Sequence, residues 1–161
     1  MGEKKDLLIS FCIALWTTVL LFSMFYMPAI AAELTKEDTE TAGSLLWKGW
    51  FLKSYVEGKY YTGADVFHYV YHKSEVKSVW TFPFFTTVDE AKCSFRAYLN
   101  GNKVYNLTGP MLSSEEDWEW DVTQNPNLSY VDMAITWTWA RFDNGFSQWE
   151  RETDEAVIVA G

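Results

Sequence analysis

Two histidines four residues apart are the first candidates for chemistry in this chain. His68 and His72 are the only histidines present. On a helix, that spacing puts two imidazoles on one face and makes a zinc pair, as in the H-E-x-x-H arrangement. The neighbouring residues argue for a strand instead. Val66, His68, Val70 and His72 alternate with Phe67, Tyr69 and Tyr71, a period of two. Four strand residues span roughly 13 Å. Two ligands that must each sit about 2.1 Å from one metal cannot lie that far apart. Structural or surface roles are the expectation for both rings.

The densest charge cluster is Glu115-Glu116-Asp117, continued by Glu119 and Asp121. Calcium takes several hard oxygen ligands, and Glu115, Glu116 and Asp117 are the candidate calcium set. The run lacks the D-x-[DN]-x-[DN]-G order of a calcium loop, so a solvated acidic face is the competing reading. No other cofactor is implied. A Cys–His nucleophile would need Cys93 beside a histidine, but Cys93 alternates with Phe95 and Ala97 on an apolar face, where a thiol is inert. G-x-S-x-G, C-x-x-C, P-loop and G-x-G-x-x-G patterns are absent. The expectation is a protein that is not an enzyme.

Aromatic residues make up 18% of the chain. Their stripes can form a platform for a sugar or a partner, or they can fill a core. Trp137 and Trp139 share one face of the most regular strand, with Val131, Met133 and Ile135, and that face is expected to be core. Trp118 and Trp120 share another face. Trp47, Trp50, Phe51 and Tyr55 precede the main strands and are the candidate partner-binding residues. Asn106-Leu107-Thr108 and Asn127-Leu128-Ser129 are sequons, which makes Asn106 and Asn127 candidate glycosylation sites.

The elements that must hold these residues are mostly strands. Ala91, Cys93, Phe95, Ala97 and Leu99 alternate with polar residues, and Asn100-Gly101 follows as a hairpin signal. A three-residue loop, Asn100 to Asn102, pairs Phe95 with Leu107 and Ala97 with Tyr105, and turns Asn106 outward opposite Arg96. The hydrophobic pattern sets register, which favours that loop over a two-residue one. Further strands are read over 75–82, 117–122, 131–140, 146–153 and 156–160, with a turn at Asp143-Asn144-Gly145. Thr35-x-x-Asp38 is a weak helix-start signal, and the four-residue steps Trp47, Phe51 and Tyr55 suggest a short helix within Leu45–Val56, with a stalk or a first strand as rival readings. The fold class is therefore mainly β: a single antiparallel β-sandwich, Ig-like or related, preceded by one N-terminal hydrophobic helix. The expected domains are residues 1–32 as signal peptide or transmembrane anchor, 33–58 as a connecting segment, and 59–161 as the β-sandwich ectodomain.

That N-terminal helix fixes the expected compartment. Lys4 and Lys5 precede an unbroken apolar run, Leu7 to Met27. The run is long enough to span a bilayer, and the flanking lysines keep the N-terminus inside. Ala29-Ile30-Ala31 also forms an A-x-A site that would allow cleavage near Ala31/Ala32. Either outcome sends residues from Glu33 onward out of the cytoplasm. The formal net charge is -9, which argues against nucleic-acid partners. Cys93 is the only cysteine outside the apolar run, so a disulfide within the outer domain is impossible. The functional expectation is a non-enzymatic extracytoplasmic protein, membrane-anchored through Leu7–Met27 or secreted, with a structural or protein-interaction role at the cell surface. Protein partners or a homo-oligomer follow from that. Two alternatives stand beside it: an accessory single-pass subunit of a larger membrane complex, and a calcium- or glycan-binding module.

Overall fold

In the computed structural model the described residues are 31–81, 84–109, 117–123, 130–153 and 155–161. The apolar run Leu7–Met27, two of the three calcium candidates (Glu115 and Glu116) and the sequon at Asn127 lie outside them. Among the described residues eleven strands are formed: β1 (Glu33–Ser44), β2 (Trp50–Tyr61), β3 (Tyr69–Ser78), β4 (Trp80–Thr81), β5 (Phe84–Phe85), β6 (Thr87–Leu99), β7 (Asn102–Thr108), β8 (Asp117–Thr123), β9 (Met133–Asp143), β10 (Gln148–Glu152) and β11 (Ala156–Val159). The chain is mainly β, with two antiparallel sheets. One has the order β1-β2-β3-β8, and the other β10-β9-β6-β7 with β11 also on β9. The β4-β5 hairpin is separate.

The segment 33–58 is not a connector and holds no helix. Glu33 begins a strand that pairs with β2 along its whole length, from Glu33↔Tyr61 to Ser44↔Trp50. The four-residue aromatic step is incidental. Trp50, Leu52, Ser54, Val56 and Gly58 are buried while the residues between them are not, so the operative period is two. Gly43 and Gly49 adopt φ of 90° and 72°, a conformation that closes the turn and that other residues resist. Strand β1 also reaches the second sheet. Asp38 Oδ2 accepts the Val157 N–H at 2.8 Å, and Lys36 Nζ donates to the Val159 and Gly161 carbonyls at 2.8 and 2.7 Å. These contacts satisfy the open edge of β11, which would otherwise invite pairing with another chain.

The β6–β7 hairpin has the register that the hydrophobic pattern demands: Phe95↔Leu107, Arg96↔Asn106 and Ala97↔Tyr105. It reaches that register by another route. The loop is the two-residue Asn100-Gly101, both at positive φ (53° and 75°), as a type I′ turn requires. Leu99 pairs with Asn102, and the register shifts between Ala97 and Tyr98. The extra residue, Val104, is a bulge that restores the inward alternation. A second bulge in β6, between Val88 and Glu90, keeps both Val88 and Ala91 buried.

Strand β9 corrects the expectation for Trp137 and Trp139. Its buried residues are Ala134, Thr136, Thr138, Ala140 and Phe142, and the two tryptophans lie on the opposite face. The cause is cross-strand pairing. Cys93 sits opposite Thr138 and Ala97 opposite Ala134, and paired residues share a face. Once Cys93, Phe95 and Ala97 point inward, Trp137 and Trp139 must point out, beside Ser94 and Lys92. Small inner residues on β9 leave room for Trp50, Leu52 and Phe67 of the facing side. Outside, Trp137 Nε1 donates to Glu152 at 2.5 Å, and Lys92 Nζ lies 4.7 Å above the Trp139 ring.

The core falls into two apolar clusters. One joins Trp50, Leu52, Val76, Val88, Ala91, Cys93, Ala140 and Phe142. The other joins Val56, Phe67, Val70, Phe95, Ala97, Val131, Ala134, Ala156 and Ile158. Buried hydroxyls lie between the sheets. Ser54 Oγ donates to Thr138 Oγ1 at 2.8 Å and is hydrogen-bonded to Thr153 Oγ1 at 2.8 Å. Thr138 Oγ1 donates to the Lys53 carbonyl at 3.2 Å. These bonds tie β2 to β9 across the interface. Satisfying these hydroxyls lowers the cost of burying them, whereas the buried hydroxyls of Ser74, Ser94 and Thr136 have no hydrogen-bond partner.

Candidate functional site

His72 lies on β3 as expected, but His68 precedes that strand, and Phe67 is buried in place of Val66 and His68, so the alternation expected from Val66 begins only at Tyr69. His68 stacks on Tyr61, with ring centroids 4.4 Å apart, and its Nε2 lies 2.9 Å from Glu33 Oε1. His72 points into the core. It stacks on Phe95 at 4.3 Å and 8° and meets the Trp120 ring at 4.6 Å, edge to face. Neither ring nitrogen of His72 has a hydrogen-bond partner. Burial pushes its pKa down to about 3, because a cation there would have neither water nor a counter-charge.

Cys93 is equally enclosed, and burial pushes its thiol up to about 12. A thiol held in that state is a poor nucleophile. Gly109 passes directly over it, and its backbone N–H donates to the Cys93 carbonyl at 2.9 Å. A Cβ on Gly109 would run into Cys93 Sγ and crowd the Trp120 ring. Gly109→Ala is therefore expected to lower the melting temperature, and adding Cys93→Ala is expected to recover part of the loss. Thermal melts of the single and double variants measure that coupling. Equal losses with and without the cysteine would show that the clash does not carry the effect.

The acidic strand β8 is answered by β3. Glu119 lies 3.1 Å from Lys73 Nζ, and Lys77 Nζ pairs with Glu75. Burial pushes the Glu75 carboxyl up, but the Lys77 hydrogen bond and the Lys73 charge outweigh it and hold the carboxyl below its ordinary range. Asp117, the one calcium candidate among the described residues, sits opposite Lys77. Among the described residues no cluster of three or more metal-ligating side chains occurs. Asn106 is exposed on β7, an edge strand.

The four aromatic candidates go to three different places. Trp50 is core, with 5% exposure. Phe51 and Tyr55 lie half-buried on the outer face of the first sheet, where Tyr55 packs on Tyr71 with centroids 6.0 Å apart and donates to Glu57 at 3.0 Å. Burial, together with the carboxylates of Glu57 and Glu37, raises the Tyr55 pKa. Trp47 alone stands in solvent, 83% exposed, beside Leu46 at 79%.

Trp47 sits at one end of the domain. Trp50 packs on Phe142 with centroids 5.2 Å apart, so the β1–β2 turn and the β9–β10 turn lie at the same end. The second turn displays Phe146, 90% exposed. Both turns are fixed by hydrogen bonds. Asn144 Oδ1 accepts the Phe146 and Ser147 N–H groups at 2.9 and 2.7 Å, and Asp143 Oδ1 accepts the Gly145 N–H at 2.7 Å. In the other turn, the Lys48 N–H donates to the Ser44 carbonyl at 2.8 Å, and the Val79 N–H to the Gly49 carbonyl at 2.8 Å. Large apolar side chains on rigid turns are the pattern of a contact surface.

Two open cavities lie at this end. One, about 430 Å³, is lined by Phe85, Thr87, Asp143, Asn144, Gly145 and Phe146. The other, about 320 Å³, is lined by Trp47, Lys48, Trp50, Trp149 and Arg151. Sequence reasoning missed Lys48, Phe146, Trp149 and Arg151. The available signal was Phe146 directly after a turn, where an apolar residue has no core to enter.

No family model matches the chain, and no curated protein sequence matches it. Among solved structures, the chain is similar to the X-ray structure of a Northeast Structural Genomics Consortium target, with 8% identity, a TM-score of 0.32, and coverage of 80% of this chain and 86% of that one. It is also similar to the crystal structure of an ApaA-designated protein of Bordetella pertussis, with 10% identity, a TM-score of 0.30, and coverage of 81% and 94%.

Proposed function

We infer that the chain is a non-enzymatic extracytoplasmic protein, membrane-anchored or secreted, that works by protein interaction at the cell surface. Its outer part is an antiparallel β-sandwich, Ig-like or related, and the turn-bearing end is its working surface. The observation that carries this reading is the exposure of both Trp47 and Phe146 at the same end of the domain, each on a turn held by hydrogen bonds. A solvated apolar patch costs free energy unless a partner covers it. The non-enzymatic part is supported by the enclosure of Cys93 and His72, the thiol and imidazole otherwise best suited to catalysis.

The test uses the full chain, extracted from its native membrane or medium in mild detergent. Trp47→Ala with Phe146→Ala is expected to lose stoichiometric partners while its thermal melt stays unchanged. Retention of the same partners by the double variant would overturn the assignment of this end.

A further inference from the structure

The smaller cavity has a chemistry of its own. Arg151 lies over two indole rings, 5.4 Å from the Trp50 centroid and 5.9 Å from that of Trp149. Lys48 Nζ lies 5.5 Å from the Trp50 ring. Among the described residues neither cation forms an ion pair, as is also true of Lys53, Lys59, Lys92 and Lys103, but Lys48 and Arg151 line one cavity together. Among the described residues the Arg151 guanidinium donates from Nη1 to the Glu150 carbonyl at 2.6 Å. In a chain of net charge -9, two cations without carboxylate partners facing one cavity are an anion clamp in waiting. Trp47 adds a ring in solvent at its rim.

We propose that the cavity of Trp47, Lys48, Trp50, Trp149 and Arg151 binds an acidic saccharide, a hexuronate unit within a longer chain. The C–H face of a pyranose packs on a flat aromatic ring, and Trp47 offers that ring. Lys48 and Arg151 supply charge-assisted hydrogen bonds to the carboxylate on the same sugar. A volume of about 320 Å³ suits one or two sugar units rather than a folded partner. Poly-glutamate would satisfy the cations but bring no flat apolar face to the exposed ring. This goes beyond the protein contact proposed above: it adds a saccharide ligand in one cavity at the same end of the domain.

The experiment titrates the full chain in mild detergent with a galacturonate trimer, its fully methyl-esterified form and poly-glutamate, read by tryptophan fluorescence and calorimetry. The trimer is expected to bind, more weakly as salt rises. The ester is expected to bind about tenfold more weakly or worse, since it lacks the charged acceptor. Trp47→Ala and Lys48→Gln change exposed residues and should each weaken binding about tenfold. Lys103→Gln makes the same charge change on the exposed β7 strand and should leave binding unaltered. No binding of the trimer, equal binding of the ester, or equal binding of poly-glutamate would each overturn the proposal. If the saccharide fails while Trp47→Ala with Phe146→Ala still loses its partners, only the ligand assignment falls and the contact surface stands.

Discussion

Acidification from pH 7 to pH 4.5 is expected to destabilise the domain Glu33–Gly161 by about 2–3 kcal/mol through His72 alone. The ring is fully buried between Phe95 and Trp120, and burial pushes its pKa down from 6.5 to about 3. The unfolded chain therefore takes up a proton in this range and the folded chain does not. The sign follows from that difference. Stability is complete above pH 6.5 and falls as the pH drops below it, by about 1.4 kcal/mol per unit, until the folded-state value near 3 is reached. His72→Phe is expected to remove this slope. It also removes two buried ring nitrogens without partners, a gain of about 1–3 kcal/mol at pH 7 that the larger six-membered ring offsets in part, since Phe95 and Trp120 already pack against this site. Thermal melts of both proteins at several pH values between 7 and 4.5 measure it. Parallel pH profiles for wild type and His72→Phe would show that His72 is not the acid-sensitive group.

Phe95→Ala is expected to cost about 3–5 kcal/mol. Phe95 is fully buried. Its ring stacks on His72 and meets Tyr105 edge to face at 5.7 Å, so truncation opens a cavity in the middle of the second core cluster. Trp137→Ala removes a larger ring but should cost only about 1 kcal/mol, since the indole lies on the outer face and loses chiefly its bond to Glu152. The contrast between the two variants in chemical denaturation checks which side of each strand faces in. A larger loss for Trp137→Ala than for Phe95→Ala would mean that the facing of β9 is reversed.

How far this could be read in advance varies from strand to strand. The inward set of β6 was legible, because Cys93, Phe95 and Ala97 alternate with Arg96 and Lys92 and no other assignment buries them. The β6–β7 register followed from the same alternation, and only the device differed: a type I′ turn with a bulge at Val104 in place of a longer loop. Strand β9 was misleading. Its two faces are both plausible cores, one of large rings and one of alanines and threonines, and hydrophobicity alone favours the rings. Polar β1 gave no apolar period at all, since its neighbours in the fold use Lys36 and Asp38 as hydrogen-bonding groups rather than as solvated charges.

By itself, the sequence determined that residues 33–161 are built largely of strands and that Cys93 is the one cysteine among them. Each of these rests on local period or on counting, which the chain carries without reference to its neighbours. Only the tertiary structure decided which faces look inward, because pairing with β6 imposed a facing on β9 that its own composition does not favour. It alone brought Lys48 and Trp50 together with Trp149 and Arg151, a hundred residues away in the chain. Long-range juxtaposition of that kind depends on the order of strands across two sheets, and no local pattern encodes it.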